Sequence, residues 1–130
     1  MIELAVKTDR QFQLVDLTGA VEKEVSKNHW KDGVCCLFCP HTTAGLCINE
    51  NADPDVRHDL ERAYPAAVPG VRFEHAEGNS PAHFLSTLLG PSLTVFVENG
   101  KLRLGQWQGI YFGEMDGPRS RKVWMKFQGS

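Results

Sequence analysis

The sequence predicts an α+β fold dominated by antiparallel sheet, and three observations predict it. Short stretches alternate apolar and polar residues at the two-residue period of strands. An Asn99-Gly100 pair between SLTVFVEN and KLRLGQW gives the strongest hairpin signal in the chain. About three short segments carry helical spacing between capping and breaking residues, and many short strands with few helices define the α+β class.

Taken in order, IELAVKT alternates at Ile2, Leu4 and Val6, and QFQLVDL follows after the polar Asp9-Arg10, giving two early strands. From Thr18 to about Lys27, Val21 and Val25 stand one helical turn apart and predict a short amphipathic helix. Asn28 to Gly33 form a loop before GVCCLFCPH, which reads as a buried strand. The C-x-x-C spacing of Cys36 and Cys39 invites a metal or redox reading. On a strand, however, these two point to opposite faces, and Cys35 and Cys39 share a face about 13 Å apart at roughly 3.3 Å per residue. Together with Cys47 they are expected to pack in the core as small hydrophobes, in a reducing compartment.

Gly45 to Asn49 predict a further strand after the HTTA turn. A second helix follows, with Asp53 as cap, Pro54 at its first position and Val56, Leu60, Ala63 and Tyr64 as its apolar stripe; Pro65 and Pro69 end it. His58 falls on the opposite, wet face beside Glu61 and Arg62 and is placed outside the site. A third helix starts near Pro81, capped by Asn79 or Ser80, and stops at Gly90-Pro91. After the hairpin, Gly109 to Met115 and Lys122 to Gln128 are two more strands, joined through EMDGPRSR.

At 130 residues and 42% apolar, the chain fits one domain spanning 1–130 with a modest core. No internal repeat, low-complexity tract or linker interrupts it. No apolar run approaches the roughly 18 to 20 residues that cross a bilayer. MIELAVKTDR lacks the features of a signal peptide, so a cytoplasmic protein without a membrane partner is expected. A net charge of −2 argues against a nucleic-acid partner. The charge is uneven: residues 101–130 hold six bases and two acids, against eight bases and fourteen acids before them. Such a basic end within an acidic chain suits a pocket for a small anionic ligand.

Two polar segments, PHTTAGLCINENADPD and FEHAEGNSPAHF, gather His41, His75 and His83 with several carboxylates and amides. Groups of this kind are costly to bury unpaired, and loops that collect them tend to bind or catalyse. His41 follows one strand, His75 ends another, and His83 lies on the first turn of the third helix. Converging, they would make a three-histidine metal site with an open position. Glu77, two residues from His75, would act as general base if burial raised its basicity. Arg119 and Arg121, in the Gly-Pro turn of DGPRSR, suit phosphate or carboxylate. Trp107 offers a flat wall for a planar ring. Asp53 has a structural task as helix cap.

HTTAGLCINENADPDVRHDLE, HAEGNSPAH, SLTVFVENGKLRLGQWQGI and GEMDGPRSRKV together resemble the YjbQ family, also called UPF0047, over nearly the whole chain and in order. Ser92 to Ile110 fit the family's S-x-x-V-x-V-x-x-G-x-x-x-x-G-x-W-Q pattern, except that Gln106 stands where the family commonly has threonine or serine. The resemblance implies a compact α+β homotrimer with a pocket at His41, His75 and His83 that can hold a divalent metal ion, zinc or magnesium. It also implies an auxiliary, secondary thiamine-phosphate synthase activity, which joins an aminopyrimidine pyrophosphate to a thiazole phosphate. Arginine or metal would neutralise the departing pyrophosphate. The candidates are then Glu77, His41, His75 and His83 for catalysis, and Asn49, Asn79, Trp107, Arg119 and Arg121 for the phosphorylated substrate. Two other readings use the same residues: a metal-dependent hydrolase of a small phosphorylated or ester substrate, and a non-enzymatic trimer with a structural metal.

Overall fold

The computed structural model describes residues 1–130 as eight strands and three helices. In chain order these are β1 (Ile2–Lys7), β2 (Gln13–Asp16), α1 (Thr18–Lys27), β3 (Gly33–Phe38), β4 (Ala44–Glu50), α2 (Pro54–Ala66), α3 (Ser80–Leu89), β5 (Ser92–Glu98), β6 (Lys101–Arg103), β7 (Gln108–Glu114) and β8 (Ser120–Gly129). They form a five-stranded sheet, ordered β1-β8-β3-β5-β6, and a three-stranded sheet, ordered β2-β7-β4. Every pairing is antiparallel, as the α+β reading requires.

Alternation along the strands sends one apolar set inward from each sheet. Val6, Leu37, Val95, Val123 and Met125 come from the five-stranded sheet, and Leu46, Ile110 and Phe112 from the other. Val21 and Val25, fully buried one turn apart, add α1 to this core. A smaller cluster of Ala82, Leu85 and Met115 lies under α3, flanked by Phe12 and Tyr64. α3 presses closely on the three-stranded sheet. A Cβ at Gly45 would stand 2.7 Å from the Cβ of Leu89, so only glycine fits beneath the helix there. The β5–β6 turn has φ of 53° at Asn99 and 77° at Gly100, the left-handed pair expected of a tight hairpin.

Several expectations are corrected. Glu61 is buried, whereas Ala63 of the expected apolar stripe is exposed. The cause is that β2 runs beneath α2: Glu61 Oε2 accepts the Leu14 backbone N–H at 2.8 Å and a hydrogen bond from Arg10 Nη2 at 3.0 Å. α2 continues through Pro65, which lies inside the helix, and ends one residue later at Ala66; the proline has no N–H to donate to the Glu61 carbonyl. His75 ends no strand; residues 67–79 between α2 and α3 form irregular backbone and turns. Cys35 and Cys39 are core residues, but Cys36 is exposed on the other sheet face, and Cys47 is half-buried against Tyr64. No helix is long and apolar enough to cross a membrane.

Candidate functional site

The site forms where the ends of both sheets meet the start of α3. After β3 the chain turns through Cys39-Pro40, fixed by the Cys39 N–H donating to the Pro91 carbonyl at 2.7 Å. This sets His41 edge-on to Phe112, with ring centroids 6.3 Å apart. His41 Nε2 lies 3.0 Å from the backbone nitrogen of Lys122 and 3.1 Å from its carbonyl oxygen. Strand β8 thus occupies one ring nitrogen and leaves Nδ1 free. Burial, and then the positive charge of Arg121, hold the His41 pKa below its ordinary 6.5.

The irregular segment before α3 brings in the second histidine. The Gly78 N–H donates to the His75 carbonyl at 3.1 Å, closing a turn in which Gly78 takes φ 77°. His75 then meets His83, on the first turn of α3, with ring centroids 5.5 Å apart and planes at 85°. Glu77 Oε2 lies 3.9 Å from His75 Nε2, but its side chain is 76% exposed. The burial expected to make it a base is therefore missing.

Asn79 occupies the N-cap position of α3, yet its side chain makes no capping bond. It donates instead from Nδ2 to Asp116 Oδ2 at 3.1 Å, leaving its buried Oδ1 without a partner. Asp116 also holds Arg119, accepting from Nη2 at 2.9 Å through its side chain and from Nε at 2.8 Å through its carbonyl. Burial opposes ionisation of Asp116, but the bonds from Asn79 and Arg119 outweigh it, and the pKa lies below its ordinary 3.8.

Arg121 belongs to a buried network. Its Nε donates to Glu114 Oε1 at 2.9 Å and its Nη2 to Thr43 Oγ1 at 2.8 Å. Thr8 Oγ1 donates to the same Glu114 oxygen at 2.8 Å. Nη1 of Arg119 and of Arg121 makes no hydrogen bond within the chain.

These residues line an open cavity of about 470 Å³, and apart from Pro40 every lining residue is polar. Among the predicted residues it gathers His41, His75, Glu77, Asn79, His83, Arg119 and Arg121. Asn49 and Trp107 lie outside it. Asn49 pairs with Gly109 near the far end of β4, its Oδ1 turned to the Glu50 N–H, and Trp107 is 57% exposed in the turn before β7. The sequence reading missed Thr43, which braces Arg121, and Asp116, which orders two site residues at once. The available signal was acids and arginines crowded into GEMDGPRSR. A larger depression of about 850 Å³ lies along α2, but four of its charged side chains are already paired, Arg10 with Glu61 and Arg62 with Asp59, which leaves only Asp55 without an ion-pair partner.

The donor set does not fit the implied metal. No group of three or more His, Cys, Asp or Glu is arranged to hold an ion. The expected three-histidine ligand set is thus not met by this arrangement, and no chemical step is assigned to a metal.

Fold and cavity together define a small α+β protein with a polar pocket of histidine and arginine at the junction of two antiparallel sheets. The chain belongs to the UPF0047 family: the family model described as UPF0047 protein YjbQ-like matches residues 2–130. It is 44% identical over 130 residues to a UPF0047 protein of Methanocaldococcus jannaschii, covering 99% of this chain and 94% of that protein. To the UPF0047 protein YugU of Bacillus subtilis it is 45% identical, covering 97% of each. The crystal structure of a YjbQ/UPF0047 family protein from Clostridium acetobutylicum superposes with a TM-score of 0.93 at 50% identity, covering 98% of this chain and 100% of that one. A conserved hypothetical protein of Thermus thermophilus gives a TM-score of 0.89 at 41% identity, covering 98% and 100%.

Proposed function

We propose that this chain is an enzyme acting on a small phosphorylated metabolite, with the phosphate or pyrophosphate seated between the arginines and the His75–His83 pair. One observation carries the reading: a polar cavity of about 470 Å³ into which two arginines are fixed, each with Nη1 unused. Asp116 and Glu114 hold those arginines before any ligand arrives, which lowers the ordering cost of binding. A planar guanidinium matches phosphate oxygens, and imidazole is the side chain suited to proton transfer near neutral pH.

The reaction this arrangement would serve, on the resemblance already described, is secondary thiamine-phosphate synthesis. The thiazole nitrogen of the thiazole phosphate bonds to the methylene carbon of the aminopyrimidine pyrophosphate. That carbon's bond to oxygen breaks, and pyrophosphate leaves. The arginines neutralise the departing charge, and His75 or His83 supplies a proton to the pyrophosphate oxygen.

The test supplies both substrates to the purified protein and measures the condensed product and pyrophosphate by mass spectrometry. The expected result is equal amounts of each, with kcat/KM reduced about 100-fold or more in Arg119→Ala, the usual scale for losing a donor to developing charge. Pyrophosphate released from the aminopyrimidine substrate alone would show hydrolysis instead of transfer. No turnover together with no binding of inorganic pyrophosphate would overturn the reading.

A further inference from the structure

A second cavity, of about 340 Å³, adjoins the first at His41 and His83. It shares His41, Thr42 and His83 with the polar cavity, while Ser86, Thr87 and Pro91 supply much of the remaining wall. The two cavities therefore meet along His41, Thr42 and His83, two of which carry imidazoles. One of these is held to the sheet, since Nε2 of His41 lies against the Lys122 backbone at 3.0 Å.

The chemistry of the second chamber is different. It contains no carboxylate, lysine or arginine. Ser86 Oγ lies 2.7 Å from the Thr42 carbonyl oxygen and 2.9 Å from that of His83, and Thr87 Oγ1 lies 2.6 Å from the Phe84 carbonyl oxygen. A hydroxyl has one proton, and in both residues it is committed to a backbone carbonyl. Toward the cavity each oxygen offers only lone pairs. Away from His41, Thr42 and His83, Ala44 and the Pro91 ring complete a wall that is apolar with two acceptors. Beyond the shared His41, Thr42 and His83, an anion seated there would lose water and gain no donor from Ala44, Ser86, Thr87 or Pro91, which is unfavourable. A neutral group with N–H or O–H donors gains from both features.

Resting on the phosphate reading above, we propose that the substrate is bipartite: its phosphate end lies with Arg119 and Arg121, and an uncharged organic group bearing hydrogen-bond donors fills the second chamber. The bond joining the two parts then lies beside His41 and His83, within reach of an imidazole. Both volumes fall within the roughly 300–1,000 Å³ usual for small-molecule sites.

Titration calorimetry with inorganic phosphate, phenyl phosphate and 4-aminophenyl phosphate tests this on the wild type, Thr87→Phe and Thr87→Val. The wild type is expected to bind 4-aminophenyl phosphate about tenfold more tightly than inorganic phosphate, which corresponds to about 1.4 kcal/mol. Thr87→Phe fills the chamber and should abolish this gain with phosphate affinity retained. Thr87→Val keeps the shape but removes one acceptor, and should erase the preference for the amino compound over phenyl phosphate. An aryl group that gains nothing in the wild type overturns the bipartite substrate and leaves the phosphate site standing. So does a gain that survives in folded Thr87→Phe protein. If Thr87→Phe does not fold, an amino preference that persists in Thr87→Val decides against the proposal. If inorganic phosphate itself fails to bind, the phosphate reading falls, and this inference with it.

Discussion

At the scale of the residue, the three histidines are chemically distinct although their motifs make them look alike. His41 is the one tied to the sheet, with its Nε2 against the backbone of Lys122. Burial and Arg121 both disfavour its charged form, so it titrates below 6.5. The folded state then binds fewer protons than the unfolded chain between its own lowered pKa and 6.5. Over that interval folding stability rises with pH, and His41 contributes it fully above 6.5. An NMR titration of the imidazole resonances should place the His41 midpoint below 6.5; a midpoint at or above that value would contradict the described burial. This difference could not be read from HTTA. The motif names the residue, but what reaches its ring is a strand 81 positions away in the chain. Glu77 shows the opposite failure. Its position two residues from His75 was legible, but its solvent exposure depends on how an irregular loop lies.

At the scale of the element, short-range rules account for most of what was legible. Thr18 to Lys27 is helical as the Val21/Val25 spacing predicts, and Asp53 caps α2 by accepting the Asp55 N–H at 2.9 Å. The Asn99-Gly100 hairpin follows from the need for two left-handed residues. What remained hidden were choices made by tertiary contact. Asn49 and Trp107 came from the right motifs but lie off the site, because β4 carries Asn49 five residues, roughly 17 Å at strand rise, from Ala44. Glu61 came from the face of α2 read as wet, yet serves as acceptor for the Leu14 N–H of β2. Replacing it tests that role. Glu61→Leu leaves a buried backbone donor unpaired and should cost about 1–3 kcal/mol in urea unfolding. Glu61→Gln keeps an amide oxygen for Leu14 and should cost less. Equal losses in the two variants would assign the stabilisation to the charge facing Arg10 rather than to the bond with Leu14.

At the scale of the molecule, one buried ion pair connects the fold to the site. Glu114 belongs to the three-stranded sheet and Arg121 to the five-stranded sheet, so their contact crosses the core at the end where the cavity opens. Glu114 is fully buried, which by itself would raise its pKa. Bonds from Arg121, Thr8 and the Asp116 N–H more than offset this, and the group lies below its ordinary 4.5. A depressed carboxylate contributes stability that is complete above its unfolded pKa and is lost as pH falls through the folded one. Glu114→Gln leaves the arginine charge buried without its partner, and a loss of about 3–5 kcal/mol is expected near pH 7. Because the variant has no carboxylate to protonate, the gap between it and the wild type should narrow as pH drops below about 4.5. Glu114→Leu combined with Arg121→Met removes both charges and should unfold at a higher urea concentration than Glu114→Gln, since neither group is then stranded. That recovery would not restore binding of inorganic phosphate, because Arg121 Nη1 would be gone from the cavity. If the double variant instead bound phosphate like the wild type, Arg121 would be only the brace between the sheets, and Arg119 alone would carry the anion.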